Sequence, residues 1–74
     1  MKLEDFKIGE LYLVRSKDYT TIEKIIRINK KTIRTACIKT INSQVKNDIK
    51  DVTWSKKQLK MFRPLTNLEK IKYL

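Results

Sequence analysis

The chain has 74 residues, of which 18 are lysine or arginine and 8 are aspartate or glutamate, so its formal net charge is +10. This length allows one small domain, residues 1–74, with a thin hydrophobic core. Because 41% of the residues are hydrophobic, with only one glycine and one proline, the composition excludes a disordered polycation and a flexible linker.

The cysteine and histidine content limits the chemistry of the chain. Cys37 is the single cysteine and there is no histidine, so an intramolecular disulfide is impossible and a zinc site has almost no ligands. We therefore expect no metal and no cofactor. No apolar run approaches the ~20 residues of a membrane span, and the amino terminus lacks the apolar segment of a signal peptide. We expect a cytoplasmic protein with no membrane partner.

Residues 11–14 predict the first strand. Phe6 and Ile8 alternate in the approach to it, and Gly9 gives the backbone freedom that a tight turn needs. The polar residues 15–18 then return the chain to solvent.

Residues 20–41 fit either a β-hairpin or a helix. In the hairpin, residues 21–28 and 32–41 are strands around a turn at 29–31. In the helix, Thr20 and Glu23 form a capping box, and one face carries Ile22, Ile25, Ile26, Ile33, Ala36, Cys37 and Ile41. The segment is rich in β-branched residues, each of which costs a helix up to about 0.7 kcal/mol relative to alanine. The hairpin is therefore favoured.

The last third of the chain contains short elements with clear local signals. Residues 42–51 are polar, with turn signals at positions 42–43 and 47–48. Residues 52–54 predict a strand, and Ser55 with Gln58 predicts a capped helical or 3₁₀ turn at 56–61. Pro64 favours an extended segment at 63–65. Thr66 with Glu69 predicts a short helix from residue 67 onward.

In chain order these elements resemble the SH3-like small barrel, the architecture of Tudor and KOW-type modules. The resemblance is carried by residues 6–12 (FKIGELY), an entry strand after a glycine turn, and residues 52–59 (VTWSKKQL), a strand that leads into a capped turn. It implies a mainly β fold with four to five short antiparallel strands, a 3₁₀ turn and a short C-terminal helix. A fold-level resemblance implies no function by itself.

We expect no enzymatic activity. The chain has no histidine for proton transfer near neutral pH and no glycine-rich phosphate loop. Cys37 lies in a β-branched run, which is typical of a buried structural thiol. Asp48 and Asp51 have a spacing that could hold a divalent ion, but Lys46 and Lys50 beside them favour a solvated charged loop.

Basic residues cluster in three segments of the sequence. They are Lys24, Arg27, Lys30, Lys31, Arg34 and Lys39 in the hairpin, Lys56, Lys57, Lys60 and Arg63 around the capped turn, and Lys70 and Lys72 in the terminal helix. Because alternate residues of a strand face opposite sides, we predict Lys24 on one face of the hairpin and Arg27 and Lys31 on the other. Lysine is ordinarily a solvated surface residue. The large unbalanced charge nevertheless favours a polyanionic partner.

The leading hypothesis is binding of nucleic acid, RNA or DNA, through backbone phosphates with little sequence specificity. The candidate phosphate contacts are Lys30, Lys31, Arg34, Lys56, Lys57 and Lys60. Tyr19, beside a predicted turn, is the candidate for stacking on an unpaired base. Trp54 is expected in the core because of the area it buries, whereas the pattern leaves Tyr12 open between core and surface.

The alternative hypothesis is an acidic protein partner. Abundant lysine and isoleucine are typical of AT-rich genomes, such as those of low-GC bacteria and their bacteriophages. A small basic phage-type protein could bind and modulate an acidic host protein, such as a polymerase, a nuclease or a ribosome-associated factor. Ile71, Tyr73 and Leu74 of the terminal helix are the candidate anchors.

Overall fold

The computed structural model describes residues 1–43 and 51–74. The elements in chain order are a first 3₁₀ helix (Leu3–Asp5), β1 (Leu11–Arg15), β2 (Tyr19–Ile28), β3 (Thr32–Ser43), β4 (Asp51–Ser55), a second 3₁₀ helix (Lys56–Met61), β5 (Phe62–Pro64) and α1 (Asn67–Tyr73). The five strands form one antiparallel sheet. The predicted mainly β fold, with its 3₁₀ turn and short C-terminal helix, is confirmed.

The predicted hairpin at residues 20–41 is confirmed, and the helical alternative is wrong. β2 and β3 pair around the turn at 29–31, where the Asn29 N–H donates to the carbonyl oxygen of Thr32 at 2.8 Å. β3 is also longer than predicted, because Asn42 and Ser43 continue it instead of turning. β2 begins at Tyr19, so its backbone offers these two residues a partner that outweighs their local turn preference. The other predicted turn signal, at positions 47–48, lies outside the described residues.

The segment that leads into β1 has the predicted turn at Gly9, but it begins with a 3₁₀ helix that was not predicted. Gly9 has a φ of +88° and donates its N–H to the carbonyl oxygen of Ile25 at 2.7 Å. The first 3₁₀ helix is closed by the Asp5 carboxylate, which accepts the Lys2 N–H at 2.8 Å.

The order of the strands forces the sheet to curl. The order is β4-β3-β2-β1-β5, so the two edge strands are consecutive in the chain and are joined by a 3₁₀ helix of six residues. That helix spans about 12 Å, whereas the edges of a flat five-stranded sheet would be about 19 Å apart. No ladder joins β4 to β5 within residues 1–43 and 51–74, so the sheet is not closed. The fold is a small antiparallel β domain that is compatible with a barrel-like architecture.

Both faces of the sheet carry hydrophobic side chains, and the inner face carries more of them. The inner, concave face packs the main core, which comprises Phe6, Tyr12, Val14, Ile25, Ile33, Trp54, Leu59 and Phe62. The outer face carries a smaller cluster of Leu13, Ile22 and Leu65, against which Tyr73 of α1 packs. α1 therefore covers one part of the outer face.

A chain of buried hydrogen bonds crosses three strands on the inner face. The Trp54 Nε1–H on β4 donates to Thr35 Oγ1 on β3 at 2.7 Å, and the Thr35 hydroxyl donates to Glu23 Oε1 on β2 at 2.8 Å. Thr35 is fully buried, and Glu23 and Trp54 are nearly so. A one-residue slip of any of these strands would move its side chain to the opposite face and break the chain of bonds. These bonds therefore specify the register.

Thr35→Val tests this role. The substitution keeps the side-chain volume but leaves a buried indole N–H and a buried carboxyl group without their partner, so the free energy of unfolding should fall by about 2–4 kcal/mol. Thr35→Ser keeps the hydroxyl and should cost only about 1 kcal/mol for the lost methyl group. Chemical denaturation followed by Trp54 fluorescence measures both. Equal losses for the two variants would contradict the role of the hydroxyl.

Candidate nucleic-acid interface

The sheet register brings together two basic clusters that are distant in sequence. Thr32, the first residue of β3, is the partner of Ser55, the last residue of β4. The turn that carries Lys30 and Lys31 therefore lies beside the start of the second 3₁₀ helix. We call the exposed residues of this end of the sheet the tip surface: Lys30, Lys31, Lys56 and Lys57. Lys60 lies near the other end of the helix, which leads into Phe62, the partner of Val14.

The second 3₁₀ helix orients its lysines by its three-residue period. Side chains three apart in such a helix lie above one another, so Lys57 and Lys60 share one side. Lys56 and Leu59 share another, and both line an open groove of about 360 Å³ against the amino-terminal residues. Leu59 is buried in the main core and thereby fixes the helix to the inner face. The lysines are left to point outward.

Charge on the tip surface has little local compensation. The ion pairs of the described residues join other cations: Arg34 Nη2 lies 3.6 Å from Asp51 Oδ2, and Arg63 Nη1 lies 2.6 Å from Glu69 Oε1. Glu4 lines the same groove as Lys56, without an ion pair. The tip surface therefore presents positive charge to solvent.

A β-bulge overturns the predicted separation of Lys24 from Arg27. In the register, Lys24 pairs with Ala36, Ile25 with Thr35, and Arg27 with Arg34, so Ile26 is an extra residue in β2. The partners 36, 35 and 34 alternate faces, and Lys24, Arg27 and Arg34 consequently all lie on the outer face. The prediction from alternate residues placed Lys24 and Arg27 on different faces because it assumed a β-ladder without a bulge. Arg34, a predicted contact, thus has two basic neighbours that were not in the predicted set.

None of the aromatic side chains is fully exposed. All of them lie within the described residues; Phe6, Tyr12, Trp54 and Phe62 are buried, and Tyr19 and Tyr73 are half-buried. The core position predicted for Trp54 is confirmed, and Tyr12 also belongs to the core. Tyr19 packs against the core and begins β2, at the opposite end of that strand from the lysine-bearing turn. The structure therefore separates Tyr19 from the candidates of the hairpin turn, Lys30 and Lys31, and from Arg34.

Helix α1 exposes a stripe of large apolar side chains. The exposed fractions of Leu68, Ile71 and Leu74 are 79%, 82% and 60%. Tyr73, a predicted anchor, instead packs on the outer-face cluster and accepts a hydrogen bond at its carbonyl oxygen from Lys39 Nζ at 3.1 Å. Leu68 was missed because the side of a short helix that faces the sheet depends on contacts distant in sequence.

Arg63 and Glu69 hold α1 in its orientation. The guanidinium donates to both carboxylate oxygens, at 2.6 and 2.7 Å. Thr66 caps the helix, because its Oγ1 accepts the Glu69 N–H at 3.2 Å. Hydrogen bonds from Arg63, then from the Thr66 backbone, lower the pKa of Glu69 from 4.5 to about 2.

Outside these surfaces, the described residues contain few chemically reactive groups. Burial raises the pKa of the half-buried Cys37 thiol, which disfavours the thiolate at neutral pH. No cluster of three or more potential metal ligands occurs in the described part of the chain, and Asp48 lies outside that part. None of the helices among the described residues is long and apolar enough to cross a membrane.

Comparisons with protein-family models, with curated proteins and with solved structures find no match to this chain.

The lowered pKa of Glu69 predicts how the docking of α1 depends on pH. Because the folded-state pKa lies below the unfolded value, the stabilisation is complete above about pH 4.5 and is lost as pH falls toward 2. The Tyr73 ring signals in NMR spectra should shift across this window in the wild type. In Glu69→Gln the shift should be absent and α1 should already be loosened at pH 6. Identical pH profiles for the two proteins would contradict the role of the pair.

Proposed function

We propose that the protein binds nucleic acid through its backbone phosphates with little sequence specificity. The observation that carries the proposal is the pairing of Thr32 with Ser55, which brings the lysines at the start of the second 3₁₀ helix beside those of the hairpin turn. Neutralised phosphates release condensed counterions, so such a surface favours a polyanion irrespective of sequence. Phosphate contacts fix position and carry no base information.

The burial of the aromatic rings supports a duplex as the ligand. Proteins that bind single strands without sequence preference stack successive bases on exposed rings, each worth about 1–3 kcal/mol. Here the half-buried Tyr19 lies away from the tip surface. A duplex keeps its bases stacked internally and presents the denser line of charge. The proposal therefore names duplex DNA or RNA.

The finer description of the fold that we propose is the SH3-like small barrel. It is supported by the curl of the sheet and by the 3₁₀ helix that precedes the last strand. Barrels of this size host many functions, so the argument for nucleic acid rests on the tip surface alone.

Salt dependence tests the proposal. We expect the logarithm of the affinity for a duplex to fall with the logarithm of salt concentration with a slope of about −5, as for five or six neutralised phosphates. Lys31→Gln with Lys56→Gln should reduce the steepness by about 2. Arg15→Gln with Lys17→Gln removes the same charge at the opposite end of the sheet and should leave the slope unchanged. Anisotropy titrations measure these slopes, and an absence of binding at low salt would refute the function.

A second candidate function is supported by the apolar stripe of α1. An exposed Leu68 and Ile71, beside Lys70 and Lys72, suit a partner with an apolar groove and an acidic rim. We propose an acidic protein as this partner. Because Tyr73 covers outer-face core residues, deleting the helix would disturb the fold, and point substitutions discriminate better.

Leu68→Ser with Ile71→Ser separates the two functions. Both side chains are mostly exposed, so the melting temperature should change by less than about 2 °C. The variant should keep its duplex affinity and lose any acidic protein that copurifies with the wild type after nuclease treatment. Tyr73→Ala serves as the contrast and should lower stability. Retention of the acidic protein by the serine variant would exclude α1 as the anchor.

A further inference from the structure

We propose that Lys24, Arg27 and Arg34 form a phosphate-binding site on the part of the outer face that α1 leaves open. Binding of a phosphate group at this site does not depend on the proposed function. The identification of that group as a phosphodiester of a duplex rests on the proposed function. We call these three residues the arginine site.

The ladder positions define the shape of the arginine site. One row across the strands is Arg27–Arg34–Thr53, and the neighbouring row is Lys24–Ala36–Asp51. Directly opposed residues on antiparallel strands have Cβ atoms about 5 Å apart, so the side chains of Arg27 and Arg34 start from adjacent positions on the outer face. Ala36 and Thr53 have short side chains, so among the described residues these two positions project little from the outer face. The apolar cluster under α1 lies beyond them, around Leu13 and Ile22.

The electrostatics of the arginine site are unfavourable without a ligand. Like charges directly opposite one another destabilise a sheet, and Arg27 faces Arg34 across the ladder. Asp51 is the carboxylate paired with Arg34, through one contact of 3.6 Å, and both side chains are about half exposed. In the described part of the chain, Arg27 and Lys24 have no ion pair. By contrast, the Arg63 guanidinium makes two short hydrogen bonds to Glu69, at 2.6 and 2.7 Å.

A phosphate group matches the unmet needs of these side chains. The planar guanidinium donates two parallel N–H bonds to tetrahedral oxyanions and is the preferred side chain for such contacts. One phosphate between Arg27 and Arg34 would neutralise their repulsion, with Lys24 adding a third donor. The site also continues the tip surface, because Arg34 lies three residues from Lys31, about 10 Å along the strand. One duplex can therefore span both.

Two double variants of equal charge test the arginine site. Arg27→Gln with Arg34→Gln should lower duplex affinity at least about tenfold more than Arg15→Gln with Lys17→Gln, because oriented bidentate bonds are lost as well as charge. Inorganic phosphate, compared with chloride at equal ionic strength, should raise the wild-type melting temperature by about 3 °C, and the arginine variant should lose this rise. The control variant should keep it.

A matched pair of acid substitutions removes the competing carboxylate. Asp51→Asn frees Arg34, whereas Asp18→Asn makes the same charge change in the β1–β2 turn. We expect Asp51→Asn to raise the affinity for inorganic phosphate and for a duplex by about threefold each. Asp18→Asn should have a smaller effect on both affinities. Equal effects of the two substitutions would overturn the assignment of Arg34 to the site.

The outcomes separate this site from the proposed function. In one outcome, the wild type binds no duplex, yet phosphate stabilises the wild type and does not stabilise the arginine variant. The site is then supported and the nucleic-acid function is refuted. If duplex binds, and the arginine variant matches its control with both ligands, the site is overturned and the function stands.

Discussion

The buried hydrogen bonds from Trp54 to Thr35 and from Thr35 to Glu23 are the interaction on which the rest of the structure depends. They join three adjacent strands at one register, and a register that is fixed on the inner face is fixed on the outer face too. The same alignment that buries Thr35 places Arg34 outward and opposite Arg27. The core thus determines which cations share a surface. None of these cations takes part in the buried hydrogen bonds themselves.

The curl of the sheet has a similar double effect. Because a short 3₁₀ helix must join the two edge strands, it runs from Ser55, beside the hairpin turn, to Phe62, beside Val14, and buries Leu59 in the core. Its first lysines, Lys56 and Lys57, are thereby brought beside the hairpin turn. At the other surface, the Arg63–Glu69 pair turns α1 so that Tyr73 packs inward while its apolar stripe stays exposed. The tip surface and the apolar stripe of α1 therefore lie on different parts of the molecule.

Most of the secondary structure could be predicted from the sequence because its signals are local. Capping boxes, the single proline and β-branched runs gave the 3₁₀ turn, the terminal helix and the hairpin close to their observed bounds. The arrangement of the basic residues could not be predicted as well, because the bulge at Ile26 shifts the alternation of faces and arises from pairing between strands. Likewise, the exposure of Leu68 and the packing of the half-buried Tyr73 depend on an ion pair between α1 and β5. The tip surface itself required the strand order, which no local pattern specifies.

Mapping of the ligand surface by ¹⁵N–¹H NMR during titration with a short duplex tests the central claim most directly. The claim is that one register gathers separated cations into a continuous phosphate-binding surface. It predicts that the largest amide shifts fall in the β2–β3 turn, at the bulge around Ile26 and in the second 3₁₀ helix, and that α1 and the β1–β2 turn remain unaffected. Shifts that are distributed evenly over all the lysines, or that are concentrated on α1, would contradict it.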